Sequence, residues 1–260
     1  MKKIYKNKSL ILILQIVVLF LAVNSCTPKY NVVIQKYESI RVTKENAINP
    51  DTSIASYISI YKNKIDAQMN EVIAQSESAI DKNIPEGTLN NLVADIVFNK
   101  GKQYYRPANY FKIDICILNH GGLRKGLPKG SITVGNIYEL MPFDNKICII
   151  TLSGEDTYDL FKFLAEKNEG HPIANCRLIV ENKTPTNITI NNQPFDKNKT
   201  YNIITNDYLS MGNDGMYFFK KAIKIVTLDY MIRDLIIEYL KEDGKKGTIN
   251  PTIDGRYTVK

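Results

Sequence analysis

Histidine is nearly missing from this chain of 260 residues, which contains only His120 and His171. That scarcity excludes a multi-histidine metal centre before any motif is read, because such centres gather several imidazoles and carboxylates around the ion. Nothing repeats at a fixed period, so solenoid, collagen and coiled-coil architectures are excluded. There is no G-x-S-x-G elbow, no Walker loop and no Cys–His pair. The longest apolar run is 14 residues, short of the roughly 20 that span a bilayer as a helix. Charge of one sign is scarce too. Of the net +7, four units come from Lys2, Lys3, Lys6 and Lys8, with no acid before Cys26. The remainder is too mild to point to a nucleic-acid polymer. Hydrophobic residues make up 44% and charged residues 23%, the balance of a folded protein rather than a disordered one.

The chain opens on basic residues 1–9, followed by the apolar run 10–23, interrupted only by Gln15. A basic flank before a short apolar run is the pattern of an export signal. The run ends in Val23-Asn24-Ser25-Cys26, which resembles the lipobox of bacterial lipoproteins. The resemblance implies cleavage after residue 25 and lipidation of Cys26. Two or three acyl chains would then hold the protein on a membrane, since each buried methylene contributes about 0.8 kcal/mol. Thr27 is not the Asp associated with inner-membrane retention, so in a cell with two membranes the outer one is expected. The expected organisation is a lipoprotein signal peptide over 1–25, a tether over 26–34 and one domain over 35–260. With Cys26 used, Cys116, Cys148 and Cys176 are left, an odd number that cannot form a complete disulfide framework. Cys116 and Cys148 lie in apolar runs and read as buried, inert thiols.

Hydrophobic spacing then sketches the domain. A first extended stretch is expected over Tyr30–Val42. A helix is expected from Thr52 to Ala74, with Ile54, Tyr57, Ile58, Tyr61 and Ile65 on one apolar face. Thr88 is positioned to cap a second helix, whose stripe is Leu89, Leu92, Val93, Ile96 and Val97. Ile113–Leu118 and Ile147–Leu152 read as strands. Ser153-Gly154-Glu155 opens a helix to Lys167, with Tyr158, Leu160, Phe161 and Leu164 inward. Strand signals follow at Arg177–Val180, Ile188–Ile190 and Tyr201–Thr205, the first pair joined by a turn at Asn191-Asn192. Leu228–Leu240 reads as a last helix and Arg256–Val259 as a last strand. The fold class expected is α+β, a single domain of mixed sheet flanked by helices.

Four segments carry signals. In Asn119-His120-Gly121-Gly122-Leu123-Arg124 a strand ends in a glycine turn before an arginine, a geometry that suits either an ordinary turn or an anion. In Met141-Pro142-Phe143-Asp144-Asn145 a proline precedes a phenylalanine outside any helical stripe. Thr205–Gly215 brings an aromatic, Tyr208, together with Asp214, a carboxylate that could cap its own turn or accept hydrogen bonds from a sugar diol. Pro85–Asp95 is chemically quiet and reads as a helix start. Of the histidines, His120 reads as a turn residue satisfied by backbone or, alternatively, as a ligand contact, and His171 reads as a surface loop residue.

In this order, the segments resemble the C-terminal, substrate-binding domain of the 5'-nucleotidase family. The family's E-x-x-L-G-N-L-x-A-D is matched by Glu86, Leu89, Asn91, Leu92, Ala94 and Asp95, and its N-G-G-G-I-R by Asn119–Arg124. Its P-F-G-N is matched by Pro142–Asn145, its T-N-D-F-L-A-x-G-G-D-G by Thr205–Gly215, and a final D-G-R by Asp254-Gly255-Arg256. The similarity runs over about residues 84–258. It implies that Phe143 and Tyr208 clamp a base, Asn145 contacts it, Asp214 holds the ribose hydroxyls, and Asn119 and Arg124 reach toward a phosphate. His120 departs from the glycine triplet, Tyr208 from phenylalanine and Asn175 from a glycine that would approach the base. Upstream, Asp81-Lys82-Asn83-Ile84 stands where the family often has phosphate-gripping arginines.

In full-length members a metallophosphatase domain with two metal ions performs hydrolysis, and its D-x-H, G-N-H-D/E and G-H-x-H segments do not occur here. The resemblance therefore implies the nucleotide- or nucleoside-binding half of a 5'-nucleotidase, a hydrolase component not active alone. It would present substrate to a separately encoded metallophosphatase at the cell envelope, with the divalent metals held by that partner and no cofactor or metal site in this chain. A non-enzymatic nucleoside- or nucleotide-binding lipoprotein is the alternative reading, and a scaffold whose site has decayed is a third.

Overall fold

The computed structural model of the protein describes residues 51–105 and 112–260, with isolated positions 13, 15, 16, 39, 41 and 43. The signal segment, Cys26, the tether and the stretch Tyr30–Val42 otherwise lie outside the described residues. Thr52–Lys260 forms one compact unit. In chain order it contains α1 (Thr52–Met69), β1 (Val72–Ser76), α2 (Thr88–Tyr104), β2 (Ile115–Ile117), β3 (Gly130–Thr133) and α3 (Val134–Leu140). Next come β4 (Lys146–Ser153), α4 (Gly154–Lys167), β5 (Ile173–Ala174), β6 (Cys176–Glu181), β7 (Thr184–Ile190) and β8 (Gln193–Pro194). The last are β9 (Thr200–Asn206), α5 (Asp207–Ser210), β10 (Lys224–Met231), α6 (Ile232–Asp243) and β11 (Tyr257–Val259).

The central sheet has the order β10-β4-β9-β2-β5. Strands β2 and β9 are parallel, and the other neighbours are antiparallel. Its inner strands β4, β9 and β2 are rich in buried apolar residues because both of their faces are covered, whereas the edge strand β10 is largely exposed. Cys116, Ile147, Ile149 and Ile204 point into a core shared with α2, α3 and α6. Ile115, Ile117, Cys148, Ile150 and Ile203 point into a second core with α4 and strands β6 and β7. The alternation along each strand follows the two-residue period of the pleat. A four-stranded sheet, β11-β6-β7-β8, and a two-stranded ribbon, β1-β3, complete the α+β fold. Cys116, Cys148 and Cys176 are free and buried, and desolvation pushes the Cys176 thiol up to about 12.

The quiet helix-start segment and the terminal D-G-R hold each other. The Arg256 guanidinium donates to both oxygens of Asp95, at 2.7 and 3.0 Å, and to Asp254 at 3.0 Å. Burial opposes its charge, but the hydrogen bonds to these carboxylates outweigh burial and raise its pKa. Glu86 accepts from Asn91 at 2.6 Å and from the Asp254 backbone at 3.0 Å. These residues tie α2 to the chain's last strand and do not line the cavity described below.

Several elements differ from their sequence expectation. The first helix stops at Met69 rather than Ala74, because residues 72–76 pair with Gly130–Thr133 as a strand. None of its residues is buried, so its apolar face is not a core face. Gly87, not Thr88, is the N-cap of α2, and the Thr88 hydroxyl instead donates to the Asp81 carbonyl. Asn191-Asn192 turns β7 into β8, whereas β6 and β7 are joined at Asn182-Lys183, both with left-handed φ. The helix expected at Leu228 begins at Ile232, since Lys224–Thr227 pairs with β4 and carries the chain onward as a strand.

His171 is not on the surface. It is 3% exposed, edge-on to the Phe163 ring at 5.8 Å, and its Nδ1 has no partner. Burial, with help from nearby His120, drives its pKa from 6.5 down to about 4, while Asp214 acts in the opposite sense. The folded state thus disfavours protonation. The stability contributed by the neutral ring is fully present above the unfolded pKa of about 6.5 and is lost as pH falls toward about 4. Relative to His171→Phe, the parent should lose about 3 kcal/mol of stability between pH 7 and pH 4. Denaturant titrations of both proteins across that range measure this. Parallel pH profiles would rule it out.

Candidate functional site

Three strand ends converge at one edge of the central sheet. Ile204 of β9 lies between Cys116 of β2 and Ile149 of β4. From that shared register β2 runs out into Asn119–Arg124 and β9 into Asp207–Gly215. The antiparallel β4 begins beside them, with Met141–Asn145 just before it. The loops enclose a cavity of about 270 Å³ lined by Asn119, Gly121, Arg124, Phe143, Asn145, Tyr208 and Asp214. All six residues singled out from the sequence meet there. The volume is just below the range typical of ligand pockets, about 300–1,000 Å³.

Asn206 ends β9 and caps α5, its Oδ1 accepting from the Leu209 backbone at 2.7 Å. The chain then turns through Gly212, at φ +81°, and Asp214, at φ 53°. Aspartate tolerates that left-handed backbone better than most residues. Asp214 is gripped from two sides. The Tyr208 hydroxyl donates to Oδ1 at 2.8 Å and Asn119 Nδ2 donates to Oδ2 at 2.7 Å. The bond to Asp214 raises the Tyr208 pKa, so the hydroxyl stays protonated and donating. Asn119 is itself oriented by Asn206, whose amide donates to its Oδ1 at 3.3 Å. A side chain at Gly122 would place Cβ 2.9 Å from that oxygen, so the glycine leaves room for Asn119. Asn119 thereby directs one of the two N–H groups of its amide to the carboxylate.

Phe143 and Tyr208 are each 42% exposed, and among the described residues neither packs on another ring. Two exposed aromatic faces, a held carboxylate and an exposed guanidinium make a site suited to a flat ring joined to a polyhydroxyl group and an anion. Arg124 is anchored through its backbone N–H to Leu140, and its Nη1 donates to the Gly121 carbonyl at 3.2 Å. His120 is satisfied by backbone, its Nδ1 standing 3.0 Å from the Gly170 carbonyl oxygen. Asn175 lies away from the cavity, at φ 59°, with its amide turned to the Asp114 carbonyl and to Asn191. Among the described residues no three His, Cys, Asp or Glu side chains form a metal-holding group.

Two residues were not singled out from the sequence. Lys82 donates to the Leu123 carbonyl at 2.9 Å and brings a second cation to the loop that carries Arg124. Arg233, on α6, is 7% exposed and anchors the Phe143 loop. Its Nη2 meets Asp144 Oδ1 at 2.5 Å, its Nη1 lies 3.4 Å from the carbonyls of Met141 and Phe143, and it covers the Tyr138 ring at 4.3 Å. Asp144, which replaces the glycine of the resembled motif, thereby has a partner. The sequence signal for Arg233 was an arginine inside an otherwise apolar helical stripe.

The molecule is an α+β domain with a cavity on converging strand-end loops. Residues 67–221 match the family model described as 5'-nucleotidase, C-terminal domain, and the chain belongs to that family. It is 25% identical over 223 residues to the trifunctional nucleotide phosphoesterase protein of Bacillus subtilis (strain 168), covering 75% of this chain and 14% of that one. It is 24% identical over 187 residues to a 5'-nucleotidase of Vibrio parahaemolyticus, covering 68% of this chain and 32% of that one. The chain thus spans about a third or less of these curated relatives. Among solved structures, the 5'-nucleotidase precursor from Thermus thermophilus superposes with a TM-score of 0.67 at 23% identity, over 80% of this chain and 43% of that one, which shows the shared fold.

Replacing Arg233 with methionine should free the Phe143 loop. Stability should fall by about 1–3 kcal/mol, the range for loss of hydrogen bonds around a buried polar group. Amide exchange should quicken at residues 141–145 and stay unchanged in the β6–β7 hairpin. Asp144→Gly should act in the same direction, because it leaves the buried guanidinium without its carboxylate. Hydrogen-exchange mass spectrometry on both variants reads these changes, and unchanged exchange in Arg233→Met would refute the anchoring role.

Proposed function

We propose that this chain binds a nucleotide or nucleoside and presents it for phosphate-ester hydrolysis by a metallophosphatase carried on a separate chain. The observation that carries the reading is the meeting of all six expected residues around one cavity. In this reading the base enters between Phe143 and Tyr208, where stacking on an aromatic is worth about 1–3 kcal/mol without requiring one particular base. Asn145 contacts the base edge. The ribose diol donates to Asp214, whose two oxygens retain acceptor capacity beside the bonds from Tyr208 and Asn119. Arg124 offers a two-pronged donor to the phosphate, and Lys82 adds charge behind it.

The protein's own residues bind and orient. The bond-breaking step belongs to a pair of divalent ions in the partner, which would polarise the ester and activate water. The chain would work at the cell envelope as an exported lipoprotein held through Cys26, on the outer membrane where the cell has two. Support for this comes from the lipobox-like Val23–Cys26 after a short apolar run.

The purified chain should not hydrolyse AMP, even with added divalent metal, and turnover should appear when the metallophosphatase is added. Robust turnover by this chain alone, abolished in Arg124→Ala, would overturn the partner-dependent reading. Nucleoside binding with no gain from a phosphate would favour a non-enzymatic binding lipoprotein instead.

Calorimetry tests the site itself. Phe143→Ala and Tyr208→Ala should each weaken adenosine by about 1–3 kcal/mol. Asp214→Asn should weaken adenosine more than adenine, because the diol loses a charged acceptor while the rings remain. A folded Phe143→Ala/Tyr208→Ala double variant that binds adenosine like the parent would dismiss the clamp.

A further inference from the structure

Helix α1 is 18 residues long and buries none of them. At 100° per residue, Ile54, Tyr57, Ile58, Tyr61 and Ile65 fall in one stripe about a third of the circumference wide. All five are between 51% and 64% exposed, and Tyr57 and Tyr61 touch along the stripe with ring centroids 5.3 Å apart. Lys62 and Lys64 border the stripe on opposite sides, and Thr52, Ser56, Ser59 and Asn63 occupy the far face. Ile60 stands outside the stripe. Only the end of the helix joins the core, where Met69 packs on the first hydrophobic cluster.

We propose that α1 lies in the plane of a lipid bilayer surface, with Tyr57, Ile58, Tyr61 and Ile65 among the headgroups and upper acyl chains. The inference rests on the membrane attachment through the N-terminus given above. Apolar stripe, bordering lysines and a small hydroxylated far face are the chemistry of an interfacial helix. Among the described residues no helix is long and apolar enough to cross a membrane, so this one lies flat rather than spans. The length of chain before it supplies the second argument. Residues 27–51 separate Cys26 from the helix, and 25 residues cannot span more than about 80–90 Å. A covalent link of bounded length keeps α1 near the surface, so even weak partitioning is sufficient. Because Met69 is fixed to the core, the lying helix would set the orientation of the nucleotide cavity relative to the bilayer.

The test uses the full chain reconstituted in vesicles of phosphatidylethanolamine and phosphatidylglycerol, with a spin label at Ile58→Cys or at Asn63→Cys. Cys116, Cys148 and Cys176 are buried and do not compete for the label. The label at 58 should collide readily with oxygen and be shielded from an aqueous nickel chelate, and the label at 63 should show the reverse. Vesicle flotation in the same samples reports attachment separately. If the chain floats and both labels are equally open to nickel, α1 is not on the membrane although the anchor stands. If the label at 58 is shielded from both reagents, a protein surface covers the stripe; broadening that grows with protein density would identify it as a second copy. Either result overturns the proposal. A chain that does not float removes the anchor and the proposal together.

Discussion

The pairing of β9 with β2 on one side and β4 on the other governs the rest of the molecule. With Ile204 set between Cys116 and Ile149, three loops distant in sequence must emerge at one edge of the sheet. A slip of one residue in any of these strands would turn its apolar side chains to the opposite face. Both faces are buried, so the register is held by two cores at once. The cavity is therefore a consequence of strand register, and its side chains stand on loops whose ends are fixed by the most buried strands of the fold.

On that frame, polar contacts do the finer positioning. Asp214 on its left-handed turn is fixed by Tyr208 and by Asn119, and Asn119 is fixed in turn by Asn206. A carboxylate already held by two donors does not have to be ordered when ligand arrives, and avoided ordering is where preorganised sites gain affinity. The Phe143 loop is held differently. A single buried guanidinium gathers two carbonyls, a carboxylate and an aromatic face, something lysine's compact charge could not reproduce. Arg124 and Lys82 are exposed to solvent, each with a hydrogen bond to a backbone carbonyl.

The motif residues divide into two physical groups. Asn119, Arg124, Phe143, Asn145, Tyr208 and Asp214 surround the cavity. Glu86, Asn91, Asp95, Asp254 and Arg256 bind one another and close the domain by joining α2 to its C-terminal strand. The second group is chemically quiet in sequence because its partners lie some 160 residues apart.

By itself the sequence determined the α+β class, the positions of α2, α4, β4 and β9 and, through the resemblance of its motifs, the identity of the cavity residues. Those depend on local pattern: helical or two-residue spacing, turn glycines, and motifs that keep their chemistry together within a dozen residues. The buried state of Cys116 and Cys148 was legible for the same reason, from the apolar runs around them. Only the tertiary structure decided what depends on partners. The stripe on α1 has a core helix's spacing, yet it meets no core, because periodicity reports which residues share a face and not whether anything covers it. Residues 228–231 obey a helical pattern but lie in the strand that β4 draws to the sheet edge. His171 is buried and Arg233 reaches the Phe143 loop because segments far apart in the chain pack around them. The hydroxyl of Tyr208 became part of the site only when folding brought Asp214 within a hydrogen bond of it.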